Sequence, residues 1–106
     1  MILYVDDDMT SGPLIADSLS RKLGGDLVMW HSAPVNPLGY DLAVLDWHPC
    51  GPVMADRCVD AGVPFVVLTG APGDVDIECC VVAKGDIKEL AGIVQLRLNS
   101  SDGKGG

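Results

Sequence analysis

Residues 2–8, ILYVDDD, decide how the chain is to be read. Ile2 to Val5 are apolar with no polar alternation, the pattern of a strand covered on both faces. The run then stops at three consecutive carboxylates, Asp6, Asp7 and Asp8. Two carboxylates about 5 Å apart repel by about 3 kcal/mol at an effective dielectric near 20. No Lys or Arg lies nearby in sequence to offset them. A buried strand that ends this way needs either solvent or a cation at its tip.

Working outward, four further apolar runs have strand length: Leu27–Trp30, Leu42–Leu45, Pro64–Leu68 and Cys79–Ala83. All but the first resemble the opening run and look covered on both faces, as in a parallel sheet. Leu27–Trp30 is shorter and reads as an edge. Helical stretches lie between some of them. Ser11 can cap a helix with Pro13 in its first turn, Ile15, Leu19 and Leu23 at helical spacing, and Gly24-Gly25 as its stop. Pro52 to Ala61 reads as a second helix, with Met54, Cys58 and Ala61 on one side and Gly62 at its end. Asp86 caps a third, whose stripe is Ile87, Leu90, Ala91, Val94 and Leu98, broadened by Ile93 and Leu96.

Strands alternating with helices imply an open, doubly wound α/β structure with five parallel strands. Two connections break the alternation. Ser32–Gly39 and Gly70–Glu78 carry Pro and Gly and no helical periodicity, so two helices are expected to be missing. Residues 1–98 read as one domain, and the Gly- and Ser-rich 99–106 as a flexible tail.

Composition narrows the function. The 106 residues carry a net charge of −8 with only seven Lys and Arg, all scattered. That excludes a nucleic-acid or anionic-membrane partner, which needs clustered bases. No apolar run approaches the ~18 residues of a membrane span, and no leader pattern opens the chain. Cys50, Cys58, Cys79 and Cys80 read as reduced core thiols of a cytoplasmic protein. A zinc site from His48, Cys50 and Cys58 matches no ligand spacing.

In an open parallel sheet, ligands bind beyond the carboxyl ends of the strands. The residues there form a set: Asp6, Asp7 and Asp8 after the first strand, Asp46 after LAVL, Thr69 after FVVL, Lys84 after VVA. Paired carboxylates suit Mg²⁺, which takes one or two carboxylates, waters and a phosphate oxygen. Thr69 and Lys84 supply a hydroxyl and a positive charge for a phosphoryl group, and an aspartate can accept one as an acyl phosphate. Singly, each residue also suits a solvated strand end or a helix cap, Asp8 above all. His31 and His48 have no motif partner. Tyr4, Trp30, Tyr40 and Trp47 read as packing residues.

Together these residues resemble the receiver domain of bacterial two-component response regulators. ILYVDDD is similar to that family's first strand and acidic pair, DLAVLDWHPCG to its phosphoacceptor strand, VPFVVLTG to its hydroxyl segment, and VVAKGDIKEL to its lysine segment. The resemblance implies a flavodoxin-like sheet and a signalling module in a phosphorelay, expected to act stand-alone because no output domain is read after Leu98. It also implies phosphoryl transfer to Asp46 from a histidine kinase or phosphotransfer protein. By the same resemblance Asp7, Asp46 and the backbone carbonyl of His48 would hold Mg²⁺, with Asp6 acting through water. Thr69 would bond a phosphoryl oxygen and Lys84 would pair with the phosphate.

The chain departs from the family in three places. The steps from Asp7 to Asp46 and from Thr69 to Lys84 are short, which fits loss of the family's second and fourth helices. Gly85 follows the lysine where the family has proline, and Val81 stands where a switch aromatic is common. A face covered only by helix 52–61 would leave apolar strands bare, so a homodimer or obligate partner is expected there. Two other readings compete. DDDMT also resembles the DxDxT motif of haloacid-dehalogenase-type phosphatases, with Asp6 as nucleophile and Asp8 as acid/base, and an unphosphorylated pseudo-receiver would act as a scaffold.

Overall fold

In the computed structural model, which describes residues 1–48 and 50–104, five strands and three helices follow the expected order. The strands are β1 (Ile2–Val5), β2 (Val28–His31), β3 (Leu42–Asp46), β4 (Phe65–Thr69) and β5 (Cys80–Ala83). The helices are α1 (Ser11–Lys22), α2 (Gly51–Ala61) and α3 (Ile87–Lys104). Every strand pair is parallel, and the order across the sheet is β2-β1-β3-β4-β5. β2 lies at one edge, as expected of Leu27–Trp30, and β5 lies at the other.

The period of two along each strand sorts the core into two layers. Ile2, Tyr4, Leu42, Val44, Val66, Leu68 and Val82 face α1 and α3, meeting Leu19, Leu90 and Val94. Leu3, Val5, Ala43, Leu45 and Val67 face the other way, against Met54, Ala55 and Cys58 of α2. Helices therefore cover both sheet faces, and the central strands are continuous apolar runs because neither face meets water. α2 stops at Gly62, which takes the left-handed conformation (φ 69°) that a side chain would disfavour. Asp86 caps α3 by accepting a bond from the Glu89 N–H at 3.1 Å.

Among the described residues no α-helix connects β2 to β3. Only the short 3₁₀ turn Pro72–Asp74 lies between β4 and β5. Both deletions are thus present. Their expected consequence is not. Leu3, Ala43, Leu45 and Val67 are all 0% exposed, because the two helix-free connections fold over the face themselves. Val35 and Tyr40 come from one, Val75 and Cys79 from the other. Loops with apolar side chains at intervals replace the missing helices, so the sheet is not left bare.

Two smaller differences concern α3. Its backbone stays helical to Lys104, past the Leu98 end, because Asn, Ser and a single Gly weaken a helix without stopping it. Gly105 and Gly106, the end of the expected tail, lie outside the described residues. Leu96 points to solvent (69% exposed) rather than widening the apolar stripe. All four cysteines are free thiols. Among the described residues no helix is long and apolar enough to cross a membrane.

Candidate functional site

The strand order reverses direction between β1 and β3, whose carboxyl ends carry Asp6 and Asp46. Register pairs Val5 with Leu45, so these two carboxylates follow side by side. Period two puts Asp6 on the same face as Tyr4, and Asp46 on the same face as Val44. Both point toward the α1/α3 layer and are nearly buried, at 1% and 9% exposure. β5 ends one residue before Lys84, whose Nζ lies 3.1 Å from Asp6 Oδ2 and 3.4 Å from Asp46 Oδ2. A single ammonium bridges carboxylates from two other strands. The acidic run at the tip of β1 is thus offset in part by a side chain from the far end of the chain, where the sequence points to Mg²⁺.

Asp6 is held on several sides. Its Oδ2 also accepts the Tyr4 hydroxyl, its Oδ1 accepts the Asp8 N–H at 2.9 Å, and its backbone oxygen accepts the Trp30 indole N–H at 2.9 Å. Trp30 reaches it only because residue 12 is glycine: a Cβ there would lie 2.3 Å from the indole nitrogen. Asp8 does not join the cluster. Its Oδ1 accepts the Thr10 and Ser11 N–H groups, both at 2.9 Å, and so caps α1.

The electrostatics separate the two buried aspartates. Burial disfavours ionisation of Asp6, but the Tyr4 hydroxyl, the Asp8 N–H and the Lys84 ammonium outweigh it and hold the carboxyl below its usual range. Asp46 has fewer donors. Burial, then the neighbouring Asp6, push it up to about 6 against the pull of Lys84. Burial alone would lower the Lys84 pKa; Asp6 and Asp46 raise it instead, so the ammonium stays charged. The Tyr4 phenol is pushed far up, first by burial and then by its bond to Asp6. The hydrogen-bonded N–H groups of Ser11 and Thr10 hold Asp8 low.

Asp7 is exposed and completes the acidic group: one oxygen each of Asp6, Asp7 and Asp46 lie within 4.8 Å of one another. Octahedral Mg²⁺, with bonds of about 2.1 Å, has ligand oxygens about 3 to 4 Å apart. Of the three carboxylates, Asp7 and Asp46 need only a small closure to share such an ion, while Asp6, whose oxygens already accept from Tyr4, Asp8 and Lys84, adds its charge. Their charge, −3 offset by one Lys84, leaves a site that still attracts a cation. The donor set therefore fits Mg²⁺, the fit resting on hard anionic oxygens alone.

Thr69 and His48 stand somewhat apart. Thr69 (2% exposed) is the last residue of β4, and its Oγ1 accepts the Ala71 N–H at 3.0 Å, which leaves the hydroxyl proton to donate elsewhere. Its backbone oxygen accepts the Lys84 N–H at 2.9 Å, so the two residues sit on adjacent strand ends. The His48 side chain faces Asp74 across the mouth, Nε2 to Oδ2 3.4 Å. Pro49 lies outside the described residues. Clefts lined by Asn36 and Leu38 against Arg57, and by Lys22, Lys88 and Gln95, include none of the cluster residues.

Tyr4 and Trp30, which read as packing residues, turn out to bind Asp6. The signal lay in the pleat: Tyr4 is two residues before Asp6, and β2 pairs Trp30 with Tyr4. No family model matches the chain, and no curated protein or solved structure matches it either.

Proposed function

We propose that this chain is a phosphoacceptor signalling module of the receiver type, with Asp46 as the accepting residue. The observation that carries the reading is the Lys84 ammonium shared between Asp6 and Asp46, with Asp7 beside them, where the strand order reverses. The order 2-1-3-4-5 is that of flavodoxin-like sheets, whose ligands bind at this reversal. Asp46 suits the acceptor role because a carboxylate that is buried and lightly hydrogen-bonded keeps lone pairs for attack.

One Asp46 oxygen attacks the phosphorus of a phosphohistidine or a small acyl phosphate. The new O–P bond forms as the donor's bond to phosphorus breaks, and its electron pair leaves with the donor. Mg²⁺, when held by Asp7, Asp46 and the His48 carbonyl, supplies charge neutralisation for the phosphoryl oxygens. Asp6, fixed by Tyr4 and Lys84, would add negative charge beside that ion. Lys84 moves its contact from the Asp46 carboxylate to a phosphoryl oxygen, and the Thr69 hydroxyl donates to another. Positioning and electrostatics do the work.

In this reading the phosphoryl donor is a histidine kinase or phosphotransfer protein docking over the carboxyl ends of the strands. A second copy on the helix-poor face would meet α2 and the loop before β3, where Leu38, Val53 and Val59 are exposed, rather than bare strands. The phosphatase reading loses support at Asp6, because both of its oxygens are occupied by donors and it is 1% exposed.

The test is incubation with acetyl phosphate and Mg²⁺ followed by intact mass. Wild type is expected to gain one phosphoryl group and Asp46→Asn none. No gain in either protein would favour the unphosphorylated scaffold.

A further inference from the structure

Tyr4 is 0% exposed and lies in the α1/α3 core layer, yet it carries a hydroxyl. Packing alone would be met by the ring. The hydroxyl donates to Asp6 Oδ2, the same oxygen that Lys84 approaches to 3.1 Å. Asp6 Oδ1 is occupied by the Asp8 N–H. With Tyr4 in place, Lys84 must share Oδ2 with the phenol rather than hold that oxygen alone. The ammonium is therefore shared with Asp46, at 3.4 Å, rather than drawn wholly to Asp6.

From this geometry we infer that Tyr4 is a positioning residue which, by occupying Asp6 Oδ2, keeps Lys84 divided between Asp6 and Asp46. The inference rests on the phosphoacceptor reading and adds to it the control of the lysine. Without the hydroxyl, Asp6 Oδ2 gains a free lone pair, and Lys84, 3.1 Å away, is the donor placed to take it. The ammonium then tightens onto Asp6 and leaves Asp46. Two effects of opposite sign follow. The acidic cluster becomes more negative around Asp46 and Asp7 and binds a divalent cation more tightly. Phosphoryl transfer slows, because the lysine that should meet the incoming phosphoryl oxygens is held elsewhere.

The experiment compares wild type with Tyr4→Phe, which keeps the ring. Mg²⁺ alone is titrated against tryptophan fluorescence, since Trp30 bonds Asp6 and Trp47 adjoins Asp46. Phosphorylation by acetyl phosphate is then timed at saturating Mg²⁺. Expected are a Mg²⁺ dissociation constant lowered roughly two- to fivefold and a phosphorylation rate lowered roughly three- to tenfold, the scale of one redistributed charge-assisted hydrogen bond. In a Lys84→Met background Tyr4→Phe is expected to leave Mg²⁺ affinity unchanged, because the intermediary is gone.

A merely structural role would weaken both properties together. Weakening of both, no change in either, an undiminished effect without Lys84, or failure of Tyr4→Phe to fold would each overturn the inference. Absence of phosphorylation in wild type would instead remove the phosphoacceptor reading, while the Mg²⁺ titration would still report on Tyr4.

Discussion

Replacing Asp46 by Asn should stabilise the metal-free protein, although it removes one partner of Lys84. In the fold, burial and the Asp6 charge push the Asp46 carboxyl from an ordinary 3.8 to about 6. Its ionised form is thus disfavoured by folding, at a cost of about 3 kcal/mol at pH 7. Asn carries no charge to bury, and the pull of Lys84 is already contained in that raised value; discounted for solvent screening at the open strand end, the net gain should be about 1–2 kcal/mol. For a domain of this size that is roughly 4–10 °C in Tm. The sign with pH follows from the raised value. The cost is full above about pH 7 and fades as pH falls through about 6 toward the ordinary 3.8, below which Asp46 is protonated in both folded and unfolded chains. The stability difference between variant and wild type should therefore shrink over that interval. Excess Mg²⁺ should reverse the ranking: an ion bound only by the folded wild type adds about 2.7 kcal/mol at a hundredfold excess over Kd. The assay is thermal unfolding followed by circular dichroism at pH 4 to 8, with EDTA and with Mg²⁺. A variant less stable than wild type in EDTA at pH 7, or a difference that does not shrink between pH 7 and pH 4, would refute the electrostatic reasoning.

Two more perturbations probe the same cluster. Lys84→Met leaves Asp6 and Asp46 facing each other without a cation and should destabilise the metal-free protein by about 2–3 kcal/mol, read by urea unfolding. Adding Asp46→Asn to it should recover most of that loss, and failure to recover would mean that Lys84 stabilises through its stem rather than its charge. Gly12→Ala puts a methyl 2.3 Å from the Trp30 indole nitrogen, so the ring must move and its bond to Asp6 must break. A loss of about 1–3 kcal/mol with a shifted tryptophan emission is expected, and an unchanged spectrum would count against the contact.

The central strands were legible because burial on both faces leaves an apolar run that nothing else explains. The strand ends were legible for a related reason: Asp6, Asp46, Thr69 and Lys84 each interrupt such a run at its carboxyl side. What the sequence hid was anything set by contacts distant along the chain. The loops before β3 and β5 carry Val35, Tyr40, Val75 and Cys79 at irregular spacing, and their burial depends on where the chain returns over the sheet. The neutralisation of Asp6 likewise comes from Lys84, seventy-eight positions away, and becomes visible only once β5 is placed beside β4. Tyr4 could have been recognised from its two-residue offset to Asp6, since the pleat puts both on one face. The helical continuation of α3 to Lys104 reflects how weak the stop signal in NSSDGK is.

The most direct measurement is to find where the phosphoryl group sits. Protein treated with acetyl phosphate and Mg²⁺ is reduced with borohydride, which converts an aspartyl phosphate to homoserine, and the product is mapped by peptide sequencing. Homoserine at residue 46, and at no other aspartate, is the expected result. Homoserine at residue 6 would make Asp6 the nucleophile, and its absence everywhere would leave the Asp6–Lys84–Asp46 bridge as a structural ion pair.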